Sequence, residues 1–410
     1  MSADIDVVII GGGAAGIGAA RRLAASGAST LLLEATSRLG GRAWTHEVAG
    51  LPLDLGCGWL HSADRNAWVG VAKAAGRAID RRPAAWGVQY GDLAFTPAEQ
   101  AAARQAFAAL IQRLADDPPA SDRAADALEP DGEWNGYLQA LSGFISGASL
   151  ERLSVADFMA YDAASTNCNW RTPAGYGSLI AASLPATTAL RLATPVEAIE
   201  VEAHEVSVTT PVGTVRARTA ILTVSTAVLA GDAIRLAPAL DAWRQAASVL
   251  PLGRDEKLFL EIAGDGVFAP ETQVLGDPRD ARTGAYYIRP FGWPVIECYM
   301  GGDRARMVQE DGPAAGFAYA VDQLSVLFGS GVRGKLHSLI ASGWSRMSRV
   351  GGAYSYALPG HAAARLALAQ PFEQRLFFAG EATNPQDFST AHGAHDSGVR
   401  AAEEAIAALA

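Results

Sequence analysis

The sequence predicts an α/β (α+β) chain: a Rossmann-like dinucleotide-binding domain into which a second domain of mixed sheet and helices is inserted. Three observations carry this expectation. The first forty residues run strand, glycine turn, helix, strand, acid. Residues 81–170 are rich in helix-forming alanine and arginine, broken by Pro83, Pro97, Pro118-Pro119 and Pro130. Two later stretches, about 194–229 and 257–299, read as β-rich runs separated by Gly, Asp and Pro turns.

In order along the chain, Val7 to Ile10 is a short β-branched run, as a strand buried in a parallel sheet should be. Gly11-Gly12-Gly13-Ala14-Ala15-Gly16 follows at once. A helical pattern then runs from about Ala14 to Ser26 and is stopped by Gly27, and Thr30 to Leu33 forms a second strand ending in Glu34. Further on, Val196 to Val201, Val206 to Thr210, Val215 to Ala220 and Ile221 to Val224 read as strands, with a turn at Pro211-Val212-Gly213. Gly312 to Phe328 reads as a helix, Tyr354 to Tyr356 alternates like a strand, and Leu376 to Gly380 leads into a closing alanine-rich helix. No internal repeat or low-complexity linker interrupts the plan. The dinucleotide-binding domain is therefore expected from 1–80, 171–245 and 345–410, and the substrate domain from 81–170 and 246–344.

Composition narrows the classes of function. Half of the 410 residues are hydrophobic and 19% are charged, enough for a large core. The 43 acidic and 33 basic residues leave a net charge of −10, which favours neither nucleic acid nor an anionic membrane. Cys57, Cys168 and Cys298 have no metal-like spacing, so no metal is expected and a reducing cytoplasm fits. Only six residues, with two aspartates and no basic group, precede Val7, so a signal peptide is not expected. No run approaches 18 apolar residues, so no membrane span is expected either. The expected protein is a cytoplasmic monomer or homodimer.

The glycine turn has separable duties. Gly11 permits the tight turn out of the strand, Gly13 lets a pyrophosphate approach the backbone, and Gly16 lets the helix pack closely on the strand. The pyrophosphate would sit over Ala14 and Ala15, at the helix N-terminus, where free N–H groups favour negative charge. Glu34, 21 residues after Gly13, closes the second strand, where its carboxylate can accept both ribose hydroxyls. Strand, helix, second strand and acid occur in the order the motif demands, but the cradle alone does not choose between NAD and FAD.

A second motif makes that choice. Ala35 and then Arg38-Leu39-Gly40-Gly41-Arg42-Ala43-Trp44-Thr45 follow the acid, and this loop resembles the one after the ribose-binding acid in the flavin amine oxidase superfamily. The resemblance continues through Leu53-Asp54-Leu55-Gly56-Cys57-Gly58-Trp59-Leu60-His61-Ser62 and Asn66, Pro251 to Glu261, Gly351 to Tyr356, Phe377 to Thr383, and Phe388 to Ala394 with Ser397-Gly398. The last stretch is most similar to the polyamine and spermine oxidase branch. Segments 81–170 and 300–340 resemble nothing specific.

The resemblance implies a Rossmann-like FAD-binding domain of the amine oxidase type and hydride transfer from an amine α-carbon to flavin N5. The imine then hydrolyses, and dioxygen is reduced to hydrogen peroxide. It implies that Lys257 holds a water near N5, that Tyr354 faces the flavin as one wall of an amine cage, and that Thr390 takes the second cage position with a hydroxyl free for hydrogen bonding. Ala353 stands where monoamine oxidases carry a flavin-linking cysteine, so non-covalent FAD is expected. Arg42, Gly41, Gly58, Trp59, Gly380 and Ala391 are expected around the cofactor, with Glu381 accepting a ribityl hydroxyl, Val196 offering its backbone to the adenine and Trp344 packing near the ring. His61, with an ordinary pKa near 6.5, is read as an amine-binding group that switches charge. His392 is read as structural. The expected substrate is a primary or secondary amine, including a polyamine or its N-acetyl form.

Alternatives on the same fold are an L-amino acid oxidase, a desaturase or a porphyrinogen oxidase. The first wants a guanidinium for the substrate carboxylate, and none stands in Gly58 to His61 before Arg65. Desaturases generally lack the lysine that Lys257 matches. A flavin-binding protein without catalysis is a different class, against which Lys257 and Tyr354 argue.

Overall fold

A computed structural model describes residues 5–264 and 266–410. Its strands are β1 Ile5–Ile10, β2 Thr30–Leu33, β3 Thr45–Val48, β4 Leu51–Asp54, β5 Ala189–Arg191, β6 Ala198–Val201, β7 Val206–Thr210, β8 Gly213–Leu222, β9 Arg235–Leu236, β10 Asp255–Ile262, β11 Thr272–Leu275, β12 Ala285–Ile288, β13 Val295–Gly301, β14 Leu336–Ala341 and β15 Leu376–Phe378.

The apolar run of β1 sits at the centre of an eight-stranded sheet ordered β5-β2-β1-β8-β7-β6-β9, with β15 also on β8. β1 pairs in parallel with β2 and β8, and β15 runs parallel to β8. Side chains alternate across a strand, so Val7 and Ile9 enter one core, with Leu32, Ile221 and the helices Ala14–Ala24 and Ala391–Leu409. Val8 and Ile10 enter a second core, with Leu31, Val208 and Leu222. Both faces are covered, which is why β1 carries no polar residue after Asp6.

The 213–224 stretch differs from its expected division into two strands. It is one ten-residue strand, β8, whose first half pairs with antiparallel β7 and whose last residues pair with β15. The length needed to serve both partners removes the break. Tyr354 to Tyr356 also departs from expectation: it joins no sheet and makes a single bridge, Leu252 to Ser355. Alternation there reflects two different surroundings, since Tyr356 lies in an apolar core while Tyr354 lines a cavity.

The second sheet, β11-β12-β13-β10-β14, is antiparallel throughout. One face, with Leu258, Leu260, Tyr286, Ile288, Ile296 and Cys298, packs with residues of the helices Gly302–Asp311 and Pro313–Phe328. The other carries Asp255, Lys257, Tyr287, Glu297 and Tyr299 towards the cavity. Across that cavity lie the helices of the proline-punctuated segment. Pro97–Asp116 begins with a capping box in which Thr96 and Glu99 satisfy each other's backbone N–H groups, and Asn135–Ser146 and Val155–Ala164 follow it. Among the described residues, no helix is long and apolar enough to cross a membrane.

One buried ion pair ties these helices to the C-terminal segment. Arg365 binds Asp157 through two hydrogen bonds of 2.6 and 2.8 Å, and also donates to the Ser355 hydroxyl at 2.9 Å. Both side chains are almost completely buried. Removing one partner leaves an uncompensated buried charge. Arg365→Ala should therefore destabilise the protein by about 3–5 kcal/mol, read as a lower urea midpoint. A change under about 1 kcal/mol would contradict the role given to the pair.

Candidate functional site

At the carboxyl end of β1 the chain turns through Gly11 at φ +110°, a conformation that favours glycine. A Cβ on Gly16 would lie 1.9 Å from the Gly11 carbonyl oxygen, so that glycine is fixed by packing. Gly13 is different: its nearest neighbours to a Cβ are Gly40 O and Gly41 Cα, both 3.9 Å away. The protein leaves room at Gly13 that its own atoms do not use, and the room belongs to a cavity of about 820 Å³. Gly11, Gly13, Ala14, Ala15, Glu34, Ala35, Gly41, Arg42, Gly58, Trp59, Val196, Gly380 and Ala391 all line it. Gly16 does not line it, consistent with a packing duty.

Glu34 is buried and already accepts from Gly12 N (2.7 Å), Thr36 N (2.8 Å) and Thr36 Oγ1 (2.7 Å). Those bonds load Oε1 more heavily than Oε2, so Oε2 is the oxygen better placed to accept a ribose hydroxyl. Arg42 donates to the Ala353 carbonyl and to Glu381, each at 2.7 Å. Glu381 also accepts from Ser355 N (3.2 Å), Ser355 Oγ (2.6 Å) and Ser389 N (3.0 Å). With four donors its carboxylate is saturated, so the expected ribityl contact gives way to a fastening role. Burial would push Glu381 up, but Arg42 and Arg365 outweigh it and hold the carboxyl below its usual range.

The same cavity continues to Lys257, Tyr354, Trp344, His61 and Thr390. Lys257 is 7% exposed, which removes the alternative of a snorkelling surface lysine. Its Nζ pairs with Glu297 at 2.8 Å and donates to the Asp54 carbonyl at 3.3 Å, leaving one N–H. Burial alone would lower the ammonium's pKa, yet Glu297 outweighs it and raises it, so Lys257 stays charged at neutral pH. The Asp54 carboxyl is pushed up to about 6 by burial, against hydrogen bonds from Thr45, Tyr176 and Gly177. Burial raises the Cys57 thiol to about 12, so it presents no thiolate. Trp344 donates its indole N–H to Leu55 O at 3.1 Å.

Two expectations are corrected here. Thr390 lines the cavity, but its hydroxyl donates to Asp387 O (2.6 Å) and accepts from Gly393 N (2.9 Å), capping the helix Ala391–Leu409. Those two bonds use its proton and one lone pair, so towards an amine the hydroxyl can only accept, through its remaining lone pair. His61 is not a charge switch near neutrality: burial lowers its pKa to about 4, the Asn169 hydrogen bond opposing, so it is neutral at physiological pH. His392 is buried between Asp387 (3.2 Å) and Asn66 (3.5 Å).

Several participants were not singled out from sequence. Glu297 neutralises Lys257 from forty residues away, and only the antiparallel register of β10 and β13 brings it close. Tyr299, which pairs with Lys257 in that register, places its hydroxyl 2.8 Å from that of Tyr354. Trp86, 41% exposed and lining the cavity, packs its ring tilted against Trp59 (centroids 4.4 Å apart) and His61 (5.7 Å). None of these three carries a local sequence signal, because each is defined by partners that other strands and loops bring to it.

The residues fit FAD: open backbone at Gly13 for a pyrophosphate, a buried acid at Glu34 for the ribose, and a long cavity reaching a lysine and aromatic walls. Comparison with known proteins agrees. Residues 80–406 match the family described as flavin containing amine oxidoreductase, and residues 9–75 match an NAD(P)-binding Rossmann-like domain. Polyamine oxidase 2 of Arabidopsis thaliana is 26% identical over 97% of this chain and 87% of its own. Polyamine oxidase 4 of Oryza sativa subsp. japonica is 28% identical over 97% and 88%. A solved structure of wild-type putrescine oxidase bound to putrescine aligns with a TM-score of 0.79 at 18% identity, covering 98% of this chain and 99% of that one.

Two outcomes follow from this geometry. Gly13→Val should leave apoprotein stability within about 1 kcal/mol, because a φ of −79° suits any residue and the space is open. It should nonetheless cut the flavin-to-protein ratio severalfold, and full flavin content in that variant would remove Gly13 from the cradle. His61 has a folded pKa below its unfolded value, so the unfolded chain takes up a proton first as pH falls. The stability difference between His61→Asn and the parent should be flat above pH 7. It should shift in the variant's favour from about pH 6.5 towards 4, followed by urea midpoints at each pH.

Proposed function

The chain belongs to the flavin-containing amine oxidoreductase family and is an FAD-dependent amine oxidase, and we propose that it oxidises a primary or secondary amine of the polyamine class with dioxygen as electron acceptor. The observation that carries this reading is Lys257, a buried and charge-balanced lysine that opens into the cavity holding the dinucleotide cradle. Bound FAD supplies the two-electron chemistry, taking a hydride from the carbon beside the amine nitrogen and later passing the electrons to the acceptor.

The chain's own residues do the rest. The Tyr354 and Trp344 rings wall the cavity and keep water from the reacting carbon, the first held by Tyr299 and by Phe144 O at 2.8 Å. The remaining N–H of Lys257 would hold a water and, as the electrons pass to dioxygen, supply a proton to the peroxide being formed; Glu297 and the Asp54 carbonyl fix its direction. Neutral His61 adds no positive charge that would repel an incoming ammonium. Ala353 carries no nucleophile, so the flavin is held without a covalent bond. In this reading segments 1–80, 171–245 and 345–410 carry the cofactor, while 81–170 and 246–344 hold the amine.

Lys257→Met tests the assignment. Reoxidation of the reduced enzyme by oxygen in rapid mixing should slow about 100-fold, the scale of one positioned proton donor. Flavin content, and flavin bleaching by amine without oxygen, should stay within severalfold of the parent. Reoxidation at the parental rate would remove the role.

A further inference from the structure

The cationic side chains that line the cavity are Arg38, Arg42, Arg104, Lys257 and Arg349. Lys257 pairs with Glu297, and Arg42 with Glu381. Arg38 donates to the Leu39 and Gly41 carbonyls (3.2 and 2.8 Å), lies over the Trp44 ring and feels the charge of Glu34. Arg104 reaches the Gly87 carbonyl from the helix Pro97–Asp116. Arg349 differs from all of these. It is exposed, and among the described residues it has no hydrogen bond, ion pair or ring contact.

The chain sets Arg349 beside the dinucleotide cradle. β8 leads to the glycine turn, where Thr223 Oγ1 donates to Ile10 O at 2.9 Å and to Gly11 O at 3.1 Å. Ser225, two residues on, donates its hydroxyl to Val350 O at 2.6 Å, a buried bond that ties the residue after Arg349 to that loop. From Tyr354 back to Arg349 the backbone can span at most about 18 Å, and it passes Ala353, whose carbonyl holds Arg42. One end of this segment meets the tyrosine wall of the cavity. The other reaches the part lined by Thr223, Val224, Ser225 and Val228.

Charge then points to what Arg349 would bind. At the dinucleotide end Glu34 and Glu381 offset Arg38 and Arg42, so without Arg349 the lining side chains there carry no net charge. A pyrophosphate is doubly negative, and the N-terminus of the helix Ala14–Ala24 answers it with only about half an elementary charge. We propose that Arg349 binds the pyrophosphate of FAD and supplies the positive charge that the glycine turn and the Arg38–Arg42 loop leave missing. This rests on the FAD reading above. A guanidinium matches phosphate oxygens with paired N–H donors. A chain with no cofactor-linking nucleophile at Ala353 thus gains an ionic hold on its flavin four residues upstream.

The test follows loss of FAD from the loaded protein, read as the rise in flavin fluorescence after dilution and independent of turnover. At about 0.05 M salt, Arg349→Gln should release FAD roughly tenfold faster than the parent or more, the scale of one charge-assisted contact. Raising salt to about 0.5 M should speed the parent more than the variant and bring the two within about threefold, because salt screens the ion pair. Arg349→Lys keeps the charge, so at low salt its release should stay within about threefold of the parental rate. An exposed side chain without contacts leaves no packing to lose in either variant. A Gln variant that falls short of the tenfold ratio would overturn the proposal, and so would a ratio that salt leaves unchanged. A Lys variant as leaky as the Gln variant would also overturn it, since charge would then not be what holds the flavin. A parent that takes up no FAD removes the FAD reading and the proposal with it, a different result from a yellow parent whose release ignores position 349.

Discussion

The ion pair between Arg42 and Glu381, 2.7 Å long and spanning 339 positions of sequence, is the interaction on which the site depends. It joins the loop after the ribose-binding acid to the segment that precedes the last helix. Ser355 and Arg365 extend it to Asp157 on the helix Val155–Ala164. Three distant parts of the chain, the N-terminal cradle, the C-terminal segment and the helices over the cavity, thus share one buried hydrogen-bonded network. Each member of such a network has its lone pairs or protons satisfied by another, and loss of any one strands its neighbours in a medium that cannot solvate them.

Around that fastening the two sheets divide the chemistry. The parallel strands of the larger sheet end at the glycine turn and Glu34, which suits a dinucleotide whose phosphates need backbone N–H groups. The antiparallel sheet presents acid, lysine and tyrosine side chains from one face while its other face is apolar core. A rigid β surface holds such groups at fixed spacing more reliably than a loop would. Glu297 offsets the charge of Lys257, so burying the ammonium is tolerable.

Much of the fold was legible because the first forty residues obey local rules: β-branched strand, glycine where the backbone must turn, helix, strand, acid. The helix Pro313–Phe328 and strands β2 and β7 were likewise written in local pattern. The site was less legible, because saturation is a property of partners. Glu381 resembles a cofactor acceptor in sequence, yet Ser355, Ser389 and Arg42 arrive from elsewhere to fill it. His61 looked like a titrating group until burial was known. Thr390 is the exception, since a threonine ahead of a helical run carries a local capping signal.

That motifs at both ends of the chain close round a single FAD is most directly tested by the flavin content of the purified protein. After incubation with excess FAD and removal of the unbound fraction, it should be yellow, hold one FAD per chain, and release it intact into the supernatant on acid denaturation. Protein that stays colourless under these conditions would contradict the account, since Lys257 and Tyr354 would then have no flavin to act upon.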